Sequence, residues 1–410
     1  MPLSVVRWSK ISLINLIIVA SIGVVLRYKI AFSLPFINQK HLLHGHSHFA
    51  FSGWISMAIM TMLVEYLKSQ SFTDAYKRYK WILYANLFTA YGMLIAFPIE
   101  GYGLYSIIFS TLSIFTSYIF AVYYFRDLKK LNINTTCHFW FKASVTFNAL
   151  SSIGAFALAI MMVMKISHQS WYLAAEYFYL HFQYNGWFFF ACMGLITVKL
   201  SRFISDKELK KIFYFFFAAI IPAYFLSALW MNIPNWVYIL VVLAALSQVI
   251  GCFYLIKYIK NNPVQFKQSF PSISQWLIVC SGIALSIKLF LQLGSTIPTL
   301  SNLAYGFRPI VIGYLHLVLL GVITIFLLGF MVASNSFIIN KKAINGIRIF
   351  AIGIIINEIF LMGQGITSLY YINISFINEL LLITAIIMLS GLIIFISCQN
   401  KNFKNDLNHK

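Results

Sequence analysis

Apolar runs of bilayer-spanning length, separated by short polar breaks, dominate this chain. They restrict it to folds that satisfy every backbone polar group internally. A helix needs roughly 20 apolar residues to span a bilayer. Twelve such stretches occur, near 11–30, 45–67, 80–99, 103–125, 142–164, 175–199, 212–231, 236–258, 273–293, 309–335, 347–368 and 374–398. With 60% hydrophobic and only 10% charged residues, the composition is far from the roughly 25% charge of soluble domains. The sequence therefore predicts an integral membrane protein, all-α, in one polytopic domain over 1–410. The first run follows Arg7 and Lys10 but lacks a small-x-small exit and has helix length. It reads as the first span rather than as a cleaved signal.

A net charge of +20 would suggest a nucleic-acid partner in a soluble protein, but here the basic residues alternate with the spans. Lys77, Arg78 and Lys80 follow the second, Arg126, Lys129 and Lys130 the fourth, Lys207, Lys210 and Lys211 the sixth, Lys257 and Lys260 the eighth, Lys341 and Lys342 the tenth, and the C-terminal tail is basic too. The positive-inside rule then places both termini and these loops in the cytoplasm. The partners expected are membrane lipids, with no nucleic acid. The location expected is a bacterial inner membrane.

Four of the nine histidines, His41, His44, His46 and His48, fall within eight residues at the mouth of the second run. Helical spacing puts His41, His44 and His48 on one face and His46 roughly opposite. His48 opens a His-x4-Gly pattern that recurs: His48 with Gly53, His181 with Gly186, His316 with Gly321, at intervals of 133 and 135 residues. Two positions before each stands another ligating or hydrogen-bonding side chain, His46, Tyr179 or Tyr314. By the charge rule all three motif histidines lie in the outer part of spans 2, 6 and 10.

This recurrence predicts three four-helix units, about 8–130, 140–262 and 272–400, with pseudo-threefold symmetry. Ser21-Ile22-Gly23, Ser152-Ile153-Gly154 and Ser281-Gly282 mark the first helix of each and would permit close helix packing. The third helices end near Phe97-Pro98-Ile99-Glu100-Gly101, Trp230-Met231-Asn232-Ile233-Pro234 and Met362-Gly363-Gln364-Gly365, which reads as turn chemistry. Arg27 and Lys29 belong near the outer interface. Lys288 and Glu358 lie deeper and suit either an ion pair or a proton path. The five cysteines are scattered without a CxxC pair and read as packing residues.

One histidine per unit, at matching depth beside a glycine, suits ligation of a planar macrocycle between helices, since imidazole is an axial ligand of haem iron. On these residues the chain resembles subunit I of the haem-copper oxidase superfamily: twelve transmembrane helices in three pseudo-symmetric four-helix units, with metal ligands on helices 2, 6 and 10. The resemblance implies that His48 and His316 ligate a low-spin haem, of the b type, with Gly53 and Gly321 beside it. It also implies that His181 stands at or near a copper ligand position. Two departures accompany it: span 7 has no histidine to complete the copper set, and Tyr314 replaces a second helix-10 histidine, though a tyrosinate can also ligate haem.

His46-Ser47-His48 and His316-Leu-Val-Leu-Leu-Gly321 also resemble segments of the NnrS family of haem- and copper-containing membrane proteins linked to nitric-oxide stress. The function expected is haem, with copper as a second candidate, in respiratory electron transfer or in binding a small gas (O2 or NO). If enzymatic, it would be an oxidoreductase of the cytochrome oxidase or nitric oxide reductase type, with an electron donor and respiratory-complex subunits as partners. A secondary transporter with internal repeats is the alternative of another class. His41, His44 and His46 form a further metal candidate, in which His44 and His46 with His181 would hold copper or zinc and Gly45 would bend the chain to bring them together.

Overall fold

In a bilayer the backbone of an apolar run has no partner but itself, so these runs fold as helices, and no strand occurs among the described residues. The computed structural model describes residues 5–70, 72–131, 135–231, 233–301, 307–372 and 374–399. Asn232 and the basic tail beyond Gln399 lie outside them. The helices are α1 (Val5–Ala31), α2 (Gln39–Phe49), α3 (Met57–Ser69), α4 (Ala75–Glu100), α5 (Leu104–Lys130), α6 (Thr136–Val163), α7 (Gln169–His181), α8 (Phe189–Leu200), α9 (Asp206–Ala219), α10 (Asn235–Asn261), α11 (Pro263–Ser269), α12 (Ser272–Gly294), α13 (Arg308–His316), α14 (Ile325–Ala333), α15 (Lys341–Leu369) and α16 (Ile377–Ser397). Three π-helical turns interrupt them: π1 (Ala50–Ser56), π2 (Phe182–Phe188) and π3 (Leu317–Thr324).

Ten helical stretches among the described residues are long and apolar enough to cross a membrane, fewer than the twelve expected. The remaining two, 175–199 and 212–231, differ for local reasons. The first is the continuous run α7–π2–α8, made more polar by His181, Gln183 and Asn185. The second is cut short because α9 ends at Ala219 and Pro222, without an N–H, opens a short 3-10 helix, Pro222–Ser227.

Two compact units divide the chain, Met1–Phe120 with Leu327–Lys410, and Ala121–Phe326. In the first, α1 and α4 brace π1. A π turn inserts a residue into the helical ladder and displaces carbonyls from their usual partners. Side chains collect them: Asn15 Nδ2 donates to the Gly53 carbonyl at 2.6 Å and Asn86 Nδ2 to that of Ser52 at 3.1 Å. Tyr91 holds Asn15 in place by donating to its Oδ1 at 2.8 Å. Asn15→Leu removes both bonds and leaves a buried carbonyl without a donor, an expected loss of about 2 kcal/mol, measurable as a lowered melting temperature of the detergent-solubilised protein.

In the second unit the same problem has related solutions. Ser281 on α12 donates to the Val322 carbonyl of π3 at 2.7 Å. Gln183 in π2 donates to Asn148 Oδ1 at 2.9 Å and Ser151 Oγ at 2.8 Å, both on α6. Asp206 joins the N-terminal ends of α6 and α9, accepting from the Thr136 N–H at 3.0 Å and pairing with Lys210 at 2.8 Å.

The marker glycines do not act alike. A Cβ on Gly154 would run into the Ala175 carbonyl and the Tyr179 backbone of α7, so close packing there depends on it. Gly282 has nothing within 4 Å of such a Cβ, and Gly23 only an ordinary contact at 3.5 Å. The third-helix ends also diverge. Pro98 sits inside α4, which closes at Gly101 with φ +64°, whereas α15 continues through Gly363 and Gly365 to Leu369. Lys29 donates to the Leu34 carbonyl at 2.6 Å, a turn contact at the end of α1. None of the five cysteines is in a disulfide, and four are buried.

Candidate functional site

Asn38 starts α2 by accepting from the Lys40 and His41 N–H groups at 3.0 and 3.1 Å. All four clustered histidines therefore lie on one helix, which begins before the apolar run near 45–67. Gly45 does not bend the chain. It makes room for Pro98 of α4, whose Cγ would stand 2.9 Å from a Cβ at that position.

Helical spacing sorts the four rings as the sequence predicts. His48 stacks on Phe97 with ring centroids 4.3 Å apart and planes 17° from parallel, and its Nε2 is 3.4 Å from the Tyr102 hydroxyl. His44 meets Tyr102 edge-on at 4.7 Å. The His41 ring lies against the turn at Gly101, while His46 faces the other way, against Gly23 of α1. His44 and His46 thus diverge rather than chelate. Among the described residues no group of three His, Cys, Asp or Glu side chains is placed to hold a metal ion.

His181 is fully buried and both its nitrogens are engaged. Nε2 lies 2.8 Å from the Ile220 carbonyl, which can only accept, so Nε2 carries the proton. Nδ1 then accepts from Asn185 Nδ2 at 3.2 Å. Ile220 closes α9 just before Pro222, and terminal carbonyls of a helix lack intrahelical donors. The imidazole satisfies one of them. This geometry leaves His181 no nitrogen for copper, and copper does not fit the residues around it.

His316 differs. Its Nδ1 lies 2.8 Å from the Ile312 carbonyl one turn back, so Nδ1–H donates and the lone pair resides on Nε2. A ring nitrogen donating to a carbonyl while the other carries a fixed lone pair is the usual state of a metal-ligating histidine. The ring is half-buried, as are His48 and Tyr314, so the tautomer and exposure of His316 suit haem, and His48 offers a second imidazole beside the Tyr102 hydroxyl.

The motif glycines serve helix contacts. A Cβ on Gly186 would stand 2.6 Å from Phe147 Cβ of α6, one on Gly321 3.2 Å from Ala284 Cβ of α12, and one on Gly53 2.6 Å from the Phe49 ring of its own helix. Sequence reasoning missed the π turns that follow all three motif histidines and the Phe97–Tyr102 pair around His48. Lone amides in apolar runs, Asn15, Asn86 and Asn148, were the available signal for the former.

No family model and no curated protein sequence matches the chain. Its structure matches a chain of a haem-copper terminal oxidase dimer solved by cryo-EM, with a TM-score of 0.68 at 12% identity, over 96% of this chain and 83% of that one. The chain is an all-α integral membrane protein with a haem-copper oxidase fold.

Proposed function

We propose that this chain is a membrane-embedded haem protein, its haem of the b type, acting in respiratory electron transfer or in binding a small gas such as O2 or NO. His316 and His48 each present an imidazole to haem iron. The observation that carries this reading is the His316 Nδ1–H bond to Ile312, which orients the ring and sets the tautomer with its lone pair on Nε2. The oxidase fold supports the choice of cofactor. Haem supplies a one-electron iron centre whose potential follows its axial ligands. The chain's own residues orient the imidazoles: Ile312 by its carbonyl, Phe97 by stacking on His48.

The recurrence of a π turn directly after each motif histidine supports the three-unit reading of the chain. The alternation of basic loops supports an inner-membrane location with cytoplasmic termini, and an electron donor or respiratory subunits as partners. Copper at His181 is not part of the proposal.

The test is optical and EPR spectroscopy of the purified protein. The wild type is expected to show a six-coordinate low-spin haem, lost in His316→Ala and in His48→Ala. A wild type without haem, or both variants with unchanged spectra, ends the proposal.

A further inference from the structure

Near their cytoplasm-assigned ends α5 and α6 leave a groove of about 350 Å³, walled by Val122, Phe125, Val145 and Ala149, with Thr146 and Arg126. The Thr146 hydroxyl is committed to the Lys142 carbonyl at 2.9 Å, so Arg126 alone among these six offers uncommitted polarity. Helix α5 is the least enclosed of the candidate spans, with 17% of its apolar window buried. The groove therefore opens towards lipid.

Arg126 stands one turn before Lys130, the end of α5, and is exposed. It has no acidic partner among the described residues. The adjacent carboxylate, Asp127, is buried and pairs instead with Lys130 at 3.1 Å. Lys142, one turn before Thr146 on α6, adds a second cation without an acid partner among the described residues. An apolar groove beside an exposed arginine that has no acidic partner among the described residues complements a lipid with an acyl chain and an anionic headgroup. Guanidinium binds phosphate oxygens in a bidentate fork.

We propose that the α5–α6 groove is a binding site for an anionic phospholipid, with one acyl chain against Val122, Phe125, Val145 and Ala149 and the phosphodiester on Arg126. The negative charge of the headgroup distinguishes this site from lipid contact elsewhere on the surface.

The full-length protein in mild detergent is titrated with phosphatidylglycerol or phosphatidylcholine of matched chains, and retained lipid is read by native mass spectrometry. Phosphatidylglycerol is expected to be retained over phosphatidylcholine. Arg126→Gln is expected to lower its retention about fivefold, the effect of one interfacial cation, with phosphatidylcholine unchanged. Arg126→Lys retains most of the preference, and Ala149→Trp, which fills the channel, lowers retention of both lipids. Size exclusion and far-UV circular dichroism confirm that each variant is folded. Equal retention of the two lipids by the wild type, or wild-type phosphatidylglycerol retention in a folded Arg126→Gln or Ala149→Trp variant, overturns the proposal.

Discussion

Replacing His181 by leucine is expected to destabilise the protein by about 3 kcal/mol or more, because it strips partners from two buried polar groups at once. The Ile220 carbonyl loses its 2.8 Å donor and Asn185 loses the acceptor of its amide. The Asn185 Oδ1 is already buried without a donor, so the side chain would be left with nothing. Leucine matches the imidazole in bulk, which makes the loss one of polarity rather than of volume. Asparagine, which can still donate one bond, should recover part of the loss. The measurement is the melting temperature of the detergent-solubilised protein, with monodispersity on size exclusion as the first readout. A His181→Leu protein that melts like the wild type would show that neither bond contributes to stability.

Lys288→Met should act in the opposite direction. The lysine on α12 is 4% exposed, and its Nζ has no hydrogen-bond acceptor among the described residues. The Phe189 ring lies beside it, 5.8 Å from ring centroid to Nζ, and one turn along α12 Gln292 Oε1 is itself buried without a donor. A buried amine held this way costs several kcal/mol, of which a ring contact returns about 1. Replacement by a long apolar side chain is expected to raise stability by about 2 kcal/mol, seen as a melting temperature higher by a few degrees. A lowered melting temperature would mean that the amine is well paired and the argument wrong. If stability rises while haem-linked activity falls, the amine is kept for function at a cost in folding.

Several features of the site were legible in the sequence because they depend on local geometry alone. The i, i+3, i+4 spacing placed His44 and His48 on one face of α2 and His46 on the other, and the structure keeps that division. The His-x4-Gly recurrence marked three segments that each pass into a π turn. The turn itself was not legible, since nothing local in the residues of π1, π2 and π3 calls for an extra residue in the ladder. What sustains it is a set of partners distant in sequence: Asn15 for Gly53, 38 residues away, and Ser281 for Val322, 41 residues away. His181 and His316 share a motif yet differ in state. The first meets the Ile220 carbonyl at the C-terminal end of α9, and the second bonds the Ile312 carbonyl one turn back along its own helix through Nδ1.

The sequence by itself determined that this is a helical membrane protein and where ten of its apolar helices fall. Hydropathy and helical period are properties of neighbouring residues, and the bilayer leaves an apolar run no alternative to helix. Only the tertiary structure decided what each of those residues does. It turned Gly45 from a hinge into a seat for Pro98, Gly154 into the tight α6–α7 contact that Gly282 does not make, and His181 from a ligand candidate into a structural hydrogen-bond node. Whether a buried imidazole retains a lone pair, or a glycine a close neighbour, depends on atoms supplied by other helices, which no local pattern encodes.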